Sequence, residues 1–432
     1  MTQIDAPHRA PPPTAPIAPR LLALALLGIV FAIMLAWTWR AWPDPLVDFG
    51  REAYIPWRLS EGDRLYIDQN YFNGPLSPYF NALLFTLAAP NLTVLFITNA
   101  VIFGIIILVA FHILRLLSSP LPAFVACCAI MLLCGFTQTI NTANYNYIAP
   151  YSHEMTHGLA LSLGAIAILL KFIQARNGWW LLLCGMCCGG ATLTKPEIAI
   201  AIVPACTAGV ALALIERRAG LLRWSKRFGQ LVAGLLIVWT LAFSLLGRWG
   251  LGPDGAIEHL VAPYLHTLNR ALHALPFYER VAGTENVDAS LWHIARSMLV
   301  WLVLTGIGIL AGLWLRTDVR GARVIGFTVG IAVFIAARLT LDGMMFQTLF
   351  RAFGVLLLGV LVTLTILAIR RGSAGLDRRS IGAMVFTIFS LLLLAKIRLN
   401  VSPLHYGFVL AAPAIMLGIV CLVGWLPAWI DR

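Results

Sequence analysis

Apolar runs of about 20 residues recur along almost the whole chain, each long enough at about 1.5 Å of helical rise per residue to cross a bilayer. Twelve stand out, at 20–42, 92–114, 120–138, 155–173, 178–194, 197–215, 229–247, 292–315, 324–341, 350–369, 381–396 and 406–425. A water-soluble fold would have to bury each of them on every side. Of the 432 residues only 12% are charged, where a soluble domain has about a quarter, and the mean hydropathy is +0.84. The chain reads as an all-α integral membrane protein with about 12 transmembrane helices.

A net charge of +12 would suit nucleic acid, but the basic residues are scattered over short loops and form no basic domain. Membrane orientation explains them, and no nucleic-acid partner is expected. With a cytoplasmic N-terminus, one set of loops carries 18 of the 31 basic residues and five of the 19 acids. Both termini are therefore expected in the cytoplasm, with the other loops outside a cytoplasmic (inner) membrane. Residues 1–19, with Ala10-Pro11-Pro12-Pro13, read as a disordered proline-rich cytoplasmic tail. Residues 20–432 read as one polytopic domain, with outer loops at 43–91 and 249–291. All eight cysteines fall in apolar segments; even Cys184 and Cys187, at redox-motif spacing, read as packing thiols.

The two faces differ in kind. Cytoplasmic loops are short and basic, whereas outer loops mix carboxylates, histidines, tyrosines and arginines, as a reaction site would. In the first outer loop Asp48 and Glu52 are four apart, so a helix would set both on one face. Two carboxylates so close disfavour joint ionisation, which prepares one of them as a base. The competing reading is a solvated pair screened by Arg51. Tyr54, Trp57, Tyr66 and Tyr71 make the segment interfacial, and Gly74-Pro75-Leu76-Ser77-Pro78-Tyr79 opens an amphipathic helix too short to span.

Asp48 with Glu52, Gly62-Asp63, then Pro75-Leu76-Ser77-Pro78-Tyr79 resemble the opening of GT-C membrane glycosyltransferases, in particular the protein O-mannosyltransferase and aminoarabinose transferase branch. Further along, Leu193-Thr194-Lys195 is similar to that family's Leu-Thr-Lys segment, and His405-Tyr406 before Pro413 to its late Arg-Tyr and Pro stretch. The family's acidic motif is often adjacent Asp-Glu, whereas here the acids are separated. The resemblance implies a GT-C-like fold with outer juxtamembrane helices. It also implies an inverting transfer of a hexose or pentose from a polyprenyl-phosphate donor to a glycan, lipid or protein acceptor, at an outward-facing site. Asp48 would be the base, with Glu52, Arg51 and Tyr54 around it.

His153-Glu154-Met155-Thr156-His157 has the H-E-x-x-H spacing by which a helix offers two histidines to zinc beside a glutamate base. In the GT-C resemblance Glu154 matches the acid that ends the second outer loop, which in several branches binds a divalent cation or the acceptor. His153 and His157 have no general family counterpart. Three readings stay open: a zinc metalloprotease, a metal-assisted transferase site on Glu154 and His157, or a polar second-loop acid between helix-end histidines. A divalent metal cation is the one cofactor these residues suggest.

A departing lipid phosphate needs charge-assisted hydrogen bonds. Lys195, Arg338, Arg351, Lys396 and Arg398 stand on the outer side, where basic residues are disfavoured, and are the candidates, against a competing reading of snorkelling at helix ends. A lipid or solute transporter is the third class. The clustering of ionisable groups at one face, with few in mid-helix, weakens it.

Overall fold

The computed structural model describes residues 17–139, 145–315, 328, 347–372, 376–403, 405 and 407–431. The tail before residue 17, the expected span at 324–341, Arg338 and Tyr406 lie outside the described residues. Among the described residues, nine helices are long and apolar enough to cross a membrane: Pro19–Trp37, Leu92–Leu117, His153–Ala175, Pro196–Glu216, Leu221–Leu268, Pro276–Leu310, Leu349–Arg371, Arg378–Ile397 and Phe408–Ile430. Two more expected spans are helical but shorter, at Pro120–Gly135 and Trp179–Thr192. Against the expected count of about 12, the described residues thus hold nine long helices and two short ones at expected spans, and the twelfth span lies outside them but for residue 328.

The helices used below are α1 (Ile17–Trp37), α2 (Gly50–Ser60), α3 (Leu76–Ala88), α4 (Leu92–Leu117), α5 (Pro120–Ile130), α6 (His153–Ala175), α7 (Trp179–Thr192), α8 (Pro196–Glu216), α9 (Leu221–Leu246), α10 (Gly252–Leu268), α11 (Arg270–His273), α12 (Pro276–Ala282), α13 (Val287–Leu315), α14 (Phe353–Arg371) and α15 (Arg378–Leu394). The helical run of α5 stops at Gly135, because the chain turns inward there: Tyr147 is fully packed and its hydroxyl donates to the Val409 carbonyl at 2.5 Å.

Burial sorts the helices. α4, α6, α8 and α15 form the core, whereas α1, α9, α13 and α14 show rows of exposed leucine, isoleucine and valine, the surface a lipid solvent requires. The short α7 is held by close backbone approach to α9: a methyl on Gly185 would come within 2.0 Å of the Leu231 carbonyl, and one on Gly234 within 2.0 Å of the Leu182 carbonyl.

Polar connections gather at one end of this bundle. Gly74 and Leu76 donate backbone hydrogen bonds to the carbonyls of Thr194 and Leu193, at 2.9 and 3.1 Å. These tie the first loop to the tip of the α7–α8 hairpin. Asn400 donates to the Arg280 carbonyl at 2.9 Å, tying the segment after α15 to α12. The two outer loops expected at 43–91 and 249–291 are largely helical, as α2, α3, α10, α11 and α12.

Candidate active site

The first loop enters through a wide helical turn at Pro45–Phe49, capped by Asp44, whose carboxylate accepts from the Leu46 amide at 2.9 Å. Within it Asp48 adopts a left-handed backbone, φ +65°, which aspartate tolerates better than most residues. This reversal breaks the expected shared helical face. Asp48 is half-exposed, while Glu52 is only 5% exposed. Arg51 stands between them, its guanidinium 3.9 Å from Asp48 and 2.9 Å from Glu52.

Glu52 is held from two sides. Arg51 Nε and Nη2 donate to one oxygen at 3.2 and 2.9 Å, and the His153 backbone N–H donates to the other at 2.8 Å. That amide belongs to the free N-terminus of α6, where negative charge is favoured. Arg51 also donates to the Tyr151 carbonyl at 3.4 Å and lies 4.8 Å from the Phe72 ring centre. Burial works against its charge, yet Glu52, Glu154 and Asp48 together lift the guanidinium above its ordinary value.

The two histidines of H-E-x-x-H both face α3, their ring centres 6.1 Å apart. His153 Nδ1 pairs with the Asn81 amide at 2.5 Å and His157 Nδ1 with the Ser77 hydroxyl at 2.9 Å, both partners coming from α3. Glu154 turns elsewhere and accepts from the Ser152 hydroxyl. Glu154 and Glu52 line one cleft of about 10 Å³ with Arg51 and Asn81, which is room for about one water. Ser152 in turn accepts from Lys195 Nζ at 3.3 Å.

Among the described residues no third His, Cys, Asp or Glu joins Glu154 and His157 in a cluster of ligand atoms. A catalytic zinc needs about three protein ligands. Glu154 and His157 as placed supply fewer, and no third ligand among the described residues completes the expected metal on that pair. Arg51 is ion-paired to Glu52, whereas Lys195 reaches Glu154 only through the Ser152 hydroxyl, and Glu154 Oε1 is buried with no hydrogen-bond partner. One cluster that could hold a metal does exist, but elsewhere, at Cys184, Cys188 and Cys206.

Beside the carboxylates opens a cavity of about 240 Å³. Lys195, Lys396, Arg398, Glu197, His266 and Tyr278 are among its lining, with Ile200 and Leu392 on its apolar wall. Lys396 is ion-paired to Glu197. Three of the basic residues expected to hold phosphate thus meet at one cavity, and its cations outnumber its carboxylates. Lys195 belongs to both the cavity and the carboxylate nest. Arg351 does not line the cavity; it lies in the short turn Leu349–Ala352, whose Leu349 carbonyl accepts from Ser297 and Trp301. His405 sits in a turn, its amide donating to the Ser402 carbonyl at 3.1 Å. Tyr54 lies exposed beside Trp57.

Ser152, Asn81 and Glu197 take part without having been singled out from sequence. For Glu197 a signal was present, a lone acid two residues after Lys195 at the head of an apolar run. For Asn81 there was none: its partner His153 is 72 residues away.

Fold and site together define an all-helical, multi-pass membrane protein with a charged centre at one end of the bundle. The solved structures it is similar to are GT-C glycosyltransferases. One is the Archaeoglobus fulgidus oligosaccharyltransferase in its apo form, at 13% identity over 93% of this chain and 50% of that one, TM-score 0.49. The same enzyme in complex with Zn and sulfate gives 14% identity over 92% of this chain and 49% of that one, TM-score 0.42. The aminoarabinose transferase ArnT from Cupriavidus metallidurans, in the apo state, gives 14% identity over 92% of this chain and 76% of that one, TM-score 0.38. The chain spans about half the length of the oligosaccharyltransferase structures it matches. No protein-family model and no curated protein sequence matches it. At these identities the likeness concerns the fold, and no residue role is carried across.

Proposed function

We propose that this protein is a membrane glycosyltransferase that moves a sugar from a polyprenyl-phosphate donor to an acceptor at the outer face, with inversion. The observation that carries the reading is Lys195, which links the buried carboxylates to the basic cavity. In this mechanism Lys195, Lys396 and Arg398 hold the donor phosphate and stabilise the charge that grows on it as the glycosidic bond breaks. Asp48, half-exposed and contacted at long range by Arg51, takes the proton of the acceptor hydroxyl. Its left-handed backbone is the kind of local strain that often marks a functional position. Glu52, engaged on both oxygens, fixes Arg51 and ties the first loop to the start of α6. Glu154 orients the acceptor from the second loop. The donor's prenyl chain lies along the apolar groove of about 230 Å³ lined by Leu76, Tyr79, Val238, Leu245 and Trp249. No step is routed through a metal ion.

The test is binding of a radiolabelled polyprenyl phosphate to the purified protein in nanodiscs. Lys396→Met should weaken binding about 10-fold or more, the usual scale for one charge-assisted contact, with Arg351→Ala near wild type. Equal binding by wild type and Lys396→Met would remove the cavity from the mechanism.

A further inference from the structure

Apart from the proposed site, one cluster of chemically capable side chains lies deep among the described helices. Cys184 and Cys188 stand one helical turn apart on α7 and meet Cys206 of α8. The three sulfur atoms lie within 4.8 Å of one another, and each residue is 2% exposed or less. A metal about 2.3 Å from each of three sulfurs would hold them about 4 Å apart, so side-chain adjustment alone closes the cluster on an ion. Cys184 also donates to the Ala165 carbonyl at 3.4 Å, which anchors one corner to α6.

We propose that Cys184, Cys188 and Cys206 form a binding site for one thiophilic metal ion, Cu(I), that clamps α7 to α8. The donor set chooses the ion: among the described residues the cluster supplies three sulfurs and no fourth ligand, where zinc takes four and soft thiolates select Cu(I). The proton balance closes without an oxidant or reductant. Cysteine ligates a metal as the thiolate, so three S–H bonds break, three Cu–S bonds form and three protons leave to solvent. The clamp fixes the hairpin whose tip, between Thr192 and Pro196, carries Lys195.

The full-length protein, purified in detergent under reducing, anaerobic conditions, is titrated with Cu(I) against a chromophoric Cu(I) chelator. Wild type should retain one Cu(I) per chain. Cys206→Ser and Cys188→Ala should bind at least about 10-fold more weakly, while Cys421→Ser and Cys128→Ser should match wild type. Cu(I) should raise the melting midpoint of wild type and leave that of Cys206→Ser unmoved, which separates loss of the ion from loss of the fold. Release of all copper to the chelator, or equal retention by Cys206→Ser, overturns the site. Preference for Cd(II) over Cu(I) overturns the choice of ion.

Discussion

Asp48 and Glu52 are separated by three residues, yet the backbone reversal at Asp48 gives them different work. Asp48→Asn keeps the shape and removes the base, so transfer should fall by about 10² or more with donor binding nearly unchanged. Glu52→Gln instead removes the charge that pairs with the half-buried Arg51 and sets an amide N–H where an oxygen accepted from either Arg51 or the His153 amide, which costs about 1–3 kcal/mol. A lowered melting midpoint in Glu52→Gln, absent from Asp48→Asn, would confirm this division. If Glu52→Gln abolishes transfer at full stability while Asp48→Asn stays active, the base is Glu52. The proposed mechanism routes no step through a metal ion, which predicts a further result: EDTA should leave transfer within about twofold. A loss of 10-fold or more, restored by Mg²⁺ or Mn²⁺, would contradict it. The acids of this site could be read from sequence because acids are scarce and lie in outer loops. Their separation could not, since it hangs on one φ angle.

Among the elements, α7 and α8 carry the arrangement. Their tip meets the first loop through two backbone hydrogen bonds beside Gly74, where a methyl would come within 2.1 Å of the Leu193 carbonyl. Backbone cannot yield as a side chain end can, so Gly74→Ala should break this docking. The expected loss is about 1–3 kcal/mol of stability, together with most of the transfer activity, read by thermal melting and assay. Retained activity would show that the first loop reaches the site without that contact. The long helices were legible because about 20 apolar residues in a row have few alternatives. α5 and α7 read from sequence as ordinary spans; Lys195-Pro196 marks the stop of α7, and no comparable signal marks that of α5. After α5 the chain returns so that Tyr147 donates to the Val409 carbonyl, and α7 lies against α9 through glycine contacts, pairings that apolar periodicity does not show.

At the scale of the whole molecule, the proposal requires the charged end of the bundle to face outward. The excess of basic residues in alternate loops predicts that orientation. Single cysteines should report it: Glu61→Cys and Arg280→Cys, both exposed at that end, should react with an impermeant reagent on intact cells, and Gly220→Cys only after lysis. The reverse pattern would turn the site toward the cytoplasm. The central claim, that this centre transfers a sugar, is tested most directly by mass spectrometry of envelope glycans and glycolipids from a strain lacking the gene. One sugar should disappear from one acceptor, return with the wild-type gene, and stay absent with Asp48→Asn expressed at the same level. A glycan profile unchanged by the deletion, with a membrane peptide cleaved by wild type and spared by Glu154→Gln, would contradict the account.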